Sequence, residues 1–209
     1  MTFLHNNNRV EAFSDGVFAF GATLMVVTLD MNDNLLVTGA KATSFISFGA
    51  SFFVLVILWK VHYNFFRRNT YIDNWIIALN SILLFVVLYY VFPLKSLINS
   101  WMGLQAINRD ELASLFVMYG LGFAIIFLCY GLMYHRAYKK TKVMDTSIEL
   151  LFYAQHFSIY VLTAVVSIIL GVFKVGINFG APGFIYGVLG PLCYLHANWF
   201  DKNYRKSLL

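Results

Sequence analysis

Six apolar runs of membrane-spanning length follow one another along this chain, at residues 9–29, 43–66, 75–94, 112–134, 148–173 and 179–200. A helix needs roughly 20 mainly apolar residues to cross the hydrocarbon of a bilayer. Composition agrees: 60% of the 209 residues are hydrophobic and 12% are charged, against about 25% charged in soluble domains. Mean hydropathy is +0.70. We read an all-α membrane protein with six transmembrane helices, a single unit over residues 1–209 without a linker or second domain. The sixth run is the weakest, because Gly180, Pro182, Gly183, Gly187, Gly190 and Pro191 interrupt it. Such residues are tolerated in membrane helices where neighbours satisfy the freed backbone groups.

The charge of +5 does not point to nucleic acid, because the cations cluster between the apolar runs. Arg9, Lys60, Arg67, Arg68, Arg136, Lys139, Lys140, Lys142, Lys202, Arg205 and Lys206 fall on one side, and Lys41, Lys95, Arg109 and Lys174 on the other. By the positive-inside rule the richer side is cytoplasmic, with both termini. The first eight residues lack the basic start of a secretory signal, so the first run is read as a retained helix. Residues 96–111 form the longest external connection, and Trp101 with Met102 predicts a short helix on the outer interface. Cys129 and Cys193 lie inside apolar runs and read as small buried hydrophobes.

Function is written mainly in the first run. Arg9, Glu11 and Asp15 stand at its start, and ionisable groups there are costly enough in hydrocarbon to mark a functional site. At about 100° per residue, Phe20, Thr23, Leu24 and Val27 share one helix face, which Phe13 extends. Asp15 points elsewhere, towards the chain's own helices. Arg9 and Asp15 are not an i, i+4 pair, so their partners must come from other helices. His62 and Asn80 lie at compatible depth, and a network of Arg9, Ser14, Asp15, His62 and Asn80 would satisfy them mutually.

Blander readings stand beside these. Arg9 serves equally as a snorkelling anchor, His62 as an interfacial histidine and Asn80 as an interhelical hydrogen-bonder. Ser14 and Asp15 would cap a helix that starts at Gly16. That helix would keep only residues 16–29, about 21 Å at about 1.5 Å per residue, too short to span; a start near Arg9 is expected instead. The Phe20 stripe would serve for packing or lipid contact as readily as for a pore, and Thr23 could simply bond back to its own helix.

The run Arg9-x-x-x-Phe13-Ser14-Asp15 followed by Gly16-Val17-Phe18-Ala19 resembles the RxxxFSD signature of the bacterial relatives of the endolysosomal transmembrane potassium channel. Trp59-x-x-His62, Asn80 and Phe92-Pro93 extend the resemblance into the second and third helices. The later helices match only in number and topology. The resemblance implies a homotetramer of single six-helix units in a bacterial inner membrane, with the first helix of each subunit lining a central pore. It implies a hydrophobic constriction at Phe20, Thr23, Leu24 and Val27, held by the signature residues Arg9, Phe13, Ser14 and Asp15 with His62 and Asn80. The resemblance further implies potassium as the permeant ion, with no cofactor and no metal beyond transient potassium near Thr23. Two positions depart from the family pattern. Phe20 replaces an aliphatic residue, so its rings either close the pore more completely or offer a cation their faces. Residues 90–95 replace a Leu-Pro-Phe-Pro-like run.

Three other classes remain in view. An ion-coupled secondary transporter would use broken helices near the midplane, which only the sixth run supplies. An enzyme would need clustered His, Asp, Glu or Cys, whereas His5, His62, His135, His156 and His196 are scattered, and Gln155-His156 reads as a packing hydrogen bond. No phosphate-binding loop, and so no nucleotide, is expected. A scaffold without transport differs only in lacking flux.

Overall fold

The computed structural model describes residues 7–27, 38–103, 107–141 and 144–205, without the side chains of 38–44, 144–146 and 205. Lys41, Lys142, Arg205, Lys206, His5 and Leu29, which entered the sequence argument, lie outside these described parts. Five long helices carry the fold: α1 (Asn7–Val27), α2 (Thr38–Arg68), α3 (Asn74–Trp101), α4 (Arg109–Lys140) and α5 (Met144–Val172). All five are long and apolar enough to cross a membrane.

The sixth run departs from expectation. Instead of one helix, 3-10 turns at Ile177–Phe179 and Ile185–Val188 alternate with α6 (Ala181–Phe184) and α7 (Leu189–Phe200), and a π turn, Asp201–Arg205, ends the arm. Pro191 has no N–H to offer the Gly187 carbonyl, and the ladder tightens to 3-10 just upstream of it. Gly176 and Gly180 take φ of 64° and 70°, which glycine adopts without a Cβ clash.

The outer connection is also different. Residues 96–101 continue α3 instead of forming a separate helix, and the end is capped by the Met102 N–H donating to the Ile98 carbonyl and the Gly103 N–H donating to the Ser100 carbonyl. Pro93 lies inside α3 without ending it. Asn108 then starts α4 through a reciprocal capping box with Glu111.

Helix α1 packs on both α2 and α3, α4 packs mainly on α3 and α5, and the C-terminal arm lies chiefly on α5. One continuous core joins α1 to α5, from Phe18 and Met25 through Leu83 and Val87 to Tyr130, Tyr134 and Phe157. Close approach of α4 to α3 requires Gly122, where a Cβ would fall 2.6 Å from the Tyr90 ring. Large side chains such as Phe45, Phe53, Phe85 and Leu162 remain exposed on the outer faces. An apolar surface of this extent suits lipid.

Ion pairs mark the two ends of the bundle. At one end Arg68 meets Glu149 and Arg136 meets Asp73, each at 2.8 Å; at the other Lys174 meets Asp110.

Candidate permeation helix and its polar anchor

Helix α1 starts at Asn7, before Arg9. Ser14 and Asp15 are thus interior to the helix and are not its cap. Ser14 Oγ donates back to the Val10 carbonyl at 2.8 Å. The buried face of α1 runs Ser14, Phe18, Gly21, Met25, an i, i+4, i+7, i+11 stripe that fits one side of a helix. Gly21 allows close packing there: a Cβ would touch Leu88 at 3.4 Å and Leu55 at 3.6 Å.

Three of the expected network residues come together on this face. Ser14, His62 and Asn80 are all buried. Asn80 Nδ2 donates to Ser14 Oγ at 2.9 Å, and His62 Nε2 lies 2.8 Å from Asn80 Oδ1. With that amide orientation His62 carries its proton on Nε2. A one-way relay follows: His62 to Asn80, Asn80 to Ser14, Ser14 to the α1 backbone. It ties α2, α3 and α1 at one depth. His62 is clamped between rings, 5.3 Å from Phe18 and 4.8 Å from Phe66 by centroids.

Asp15 turns towards the chain's own helices, as its position on the helix required, but to a partner outside the expected set. Trp59 Nε1 donates to Asp15 Oδ1 at 2.8 Å. An indole N–H in an apolar helix needs an acceptor, and Trp59 stands one turn before His62, so this role was readable in principle. Arg9 is exposed and joins none of these bonds. Phe13 points outward at 66% exposure.

The stripe that sequence geometry singled out lies on the opposite side from the packed one. Phe20 is 55% and Val27 73% exposed; Thr23 is exposed and Leu24 half-buried. Thr23 Oγ1 donates to the Ala19 carbonyl at 3.1 Å. That bond uses the hydroxyl's only proton and leaves an oxygen lone pair facing away from the helix.

Below the anchor, α1 is tied to the α2–α3 turn by Asn7 Nδ2, which donates to the Asn69 carbonyl at 3.0 Å. In that turn Asp73 caps α3 by accepting from the Ile76 amide at 3.0 Å. It also accepts from Arg136 Nε at 2.9 Å and from the Tyr71 hydroxyl at 3.1 Å. Burial alone would raise the Asp73 pKa, but these donors together outweigh it and hold the carboxyl below its ordinary value. For Tyr71, burial and then the Asp73 carboxylate push the phenol up.

Sequence and fold comparisons relate the chain to known channels. The family model described as "Endosomal/lysosomal potassium channel TMEM175" matches residues 9–93, the stretch that holds Ser14, Asp15, Trp59, His62 and Asn80. A protein of Marivirga tractuosa named "Potassium channel" is 36% identical over 152 residues, covering 66% of this chain and 62% of that protein. A potassium channel of Chamaesiphon minutus is 28% identical over 145 residues, covering 66% of each. The chain thus spans somewhat less than two thirds of the length of these relatives. Among solved structures, the potassium channel MtTMEM175, crystallised as a variant with a nanobody fusion protein, superposes with a TM-score of 0.75 at 27% identity over 97% of both chains. A Chamaesiphon minutus TMEM175 homologue shares the fold, with a TM-score of 0.65 at 22% identity over 93% of this chain and 98% of that one. The family and these relatives are ion channels and not enzymes. The sequence matches over residues 9–93 and the shared fold over nearly the whole chain converge on one statement: this chain is a homologue of the TMEM175 potassium channels.

Proposed function

We propose that the chain is a potassium-preferring channel, assembled as a homotetramer in a bacterial inner membrane, with α1 of each subunit around a central pore. The observation that carries this reading is the two-sidedness of α1. Its Ser14–Phe18–Gly21–Met25 face is fully used inside the subunit, while the Phe20–Thr23–Leu24–Val27 stripe is left outward. One helix encloses nothing, but cyclic symmetry brings copies of one stripe to a common axis. Both termini are cytoplasmic in this reading, and the broken C-terminal arm serves as the sixth crossing.

Rings of Phe20, Leu24 and Val27 exclude water and gate by dewetting. A small outward tilt of α1 opens them. Potassium gives up its hydration shell at lower cost than sodium and so crosses the narrow part more readily. Thr23 supplies the polar ring between the apolar ones: its proton is already bonded to Ala19, so its oxygen is oriented to accept a cation. The Ser14–Asn80–His62 relay holds α1 against its own subunit and fixes the rotation that keeps the stripe outward. Potassium is the permeant ion, and no cofactor takes part.

Thr23→Val keeps the side-chain shape and deletes the oxygen. In proteoliposomes or planar bilayers with potassium on one side and sodium on the other, the variant is expected to conduct with its reversal potential moved towards zero. An unchanged reversal potential contradicts the role given to Thr23.

A further inference from the structure

A second polar pair lies outside the α1 anchor and away from the α1 stripe. His156 on α5 and His196 on α7, forty residues apart in sequence, face each other with their Nδ1 atoms 3.3 Å apart. Both rings are half-buried. Phe152 lies against both, at centroid distances of 5.1 and 5.2 Å, and Trp199 stands 6.2 Å from His196. The other nitrogen of His196, Nε2, is buried and has no hydrogen-bond partner among the described residues. That ring therefore addresses its neighbour through Nδ1.

The spacing is the informative quantity. Good hydrogen bonds from a ring N–H run about 2.7–3.2 Å between heavy atoms. Two nitrogens bound to one tetrahedral ion at about 2.0–2.1 Å each lie about 3.3–3.4 Å apart. Without an ion the two rings share one long hydrogen bond; the same separation suits two ligands of one ion, and the rings are held there by aromatic packing on both sides. Neutral imidazole is a donor for zinc, copper and nickel. Among the described residues no third His, Cys, Asp or Glu completes a cluster. Cys193, one turn before His196, is a half-buried free thiol. The remaining coordination positions would go to water, which makes the site an open, exchangeable one.

We propose that His156 and His196 form a two-imidazole site for a divalent transition-metal ion of the zinc and copper class, which bridges α5 and α7. The C-terminal arm lies chiefly on α5, so a bound ion clamps that arm to the bundle. The site does not depend on the channel reading, and its test needs no flux.

The full chain, purified in detergent and freed of any affinity tag, is titrated with Cu2+ and examined by electron paramagnetic resonance. Hyperfine structure from two imidazole nitrogens is expected. Zn2+ should raise the thermal midpoint and Mg2+ should not. Loss of a mere outer-shell partner weakens metal sites about 10–100-fold, so His156→Gln and His196→Gln should each lower affinity for Zn2+ and Cu2+ by at least about tenfold. His135→Gln, at an exposed histidine on α4, should leave both affinities unchanged. A copper spectrum with fewer than two nitrogen donors overturns the proposal, as does full affinity in either site variant or equal loss in the His135 variant. Should a site variant fail to fold, the wild-type spectrum decides alone.

Discussion

Asn80 uses both ends of one amide. Its carbonyl takes the His62 proton and its NH2 reaches Ser14, with all three residues buried. Interhelical hydrogen bonds in membranes average only about 0.6 kcal/mol, so the relay is not held in place by the gain from any single bond. The larger quantity is the penalty for a buried group left unpaired, about 1–3 kcal/mol. Asn80→Ala strands the His62 Nε2 proton and removes a donor from Ser14. It should destabilise the subunit by about 1–3 kcal/mol, read as a lower unfolding midpoint in detergent. A midpoint equal to wild type would mean the relay carries no load. The polar members were legible from sequence because Ser14, His62 and Asn80 interrupt apolar runs, where polar groups must find one another. Trp59 was not singled out as the partner of Asp15, because a tryptophan in a membrane helix reads first as an interfacial anchor. Arg9 read equally well as anchor or network member, and its exposure favours the anchor.

At the scale of elements, helix starts and stops separate into those with local causes and those without. Asn108 announces α4 through its capping box, and α1 had to start ahead of Ser14 to be long enough to span. The third run was expected to pass Pro93 and end at Leu94; continuation of α3 from there to Trp101 was not legible, because Trp101 and Met102 read as a separate interfacial helix. The division of the sixth run into α6, α7 and 3-10 turns was foreshadowed by its glycines and prolines, but which carbonyls go unpaired depends on packing against α5. The Asp73 cap joins α3 to α4 through Arg136 and sets a pH limit. The folded-state pKa of Asp73 is depressed, so its contribution is present above the ordinary carboxylate range and is lost as pH falls through the depressed value, below about pH 4. Asp73→Asn keeps a good capping side chain while removing the charge. Its thermal midpoint should be lower than wild type near neutral pH and should decline less as the solution is acidified. Parallel acid profiles for the two proteins would show that another group sets the acid limit.

For the molecule as a whole, the bundle leaves two kinds of apolar surface exposed. One kind covers the outer faces of α2 to α5, with Phe53, Phe85 and Leu162, and suits lipid. The other is the α1 stripe of Phe20, Thr23, Leu24 and Val27, on the side of that helix away from its packed face. Membrane-spanning helices, their number to within the broken sixth run, and the inward turn of Ser14 were readable from the order of residues, whereas the Phe18–Gly21–Met25 part of the packed α1 face was not. The His156–His196 pair was not, because forty intervening residues hide it until α7 folds back on α5. The assembly claim, that outward α1 stripes meet around a conduction path that fills with water when it opens, is tested most directly by Val27→Cys in a background with Cys129→Ala and Cys193→Ala. A charged, water-soluble thiol reagent should then reduce the potassium current of the Val27→Cys protein and leave the cysteine-free parent unaffected. If Val27→Cys reacts only with a membrane-soluble reagent and the current stays unchanged, Val27 faces lipid and α1 does not line the pore.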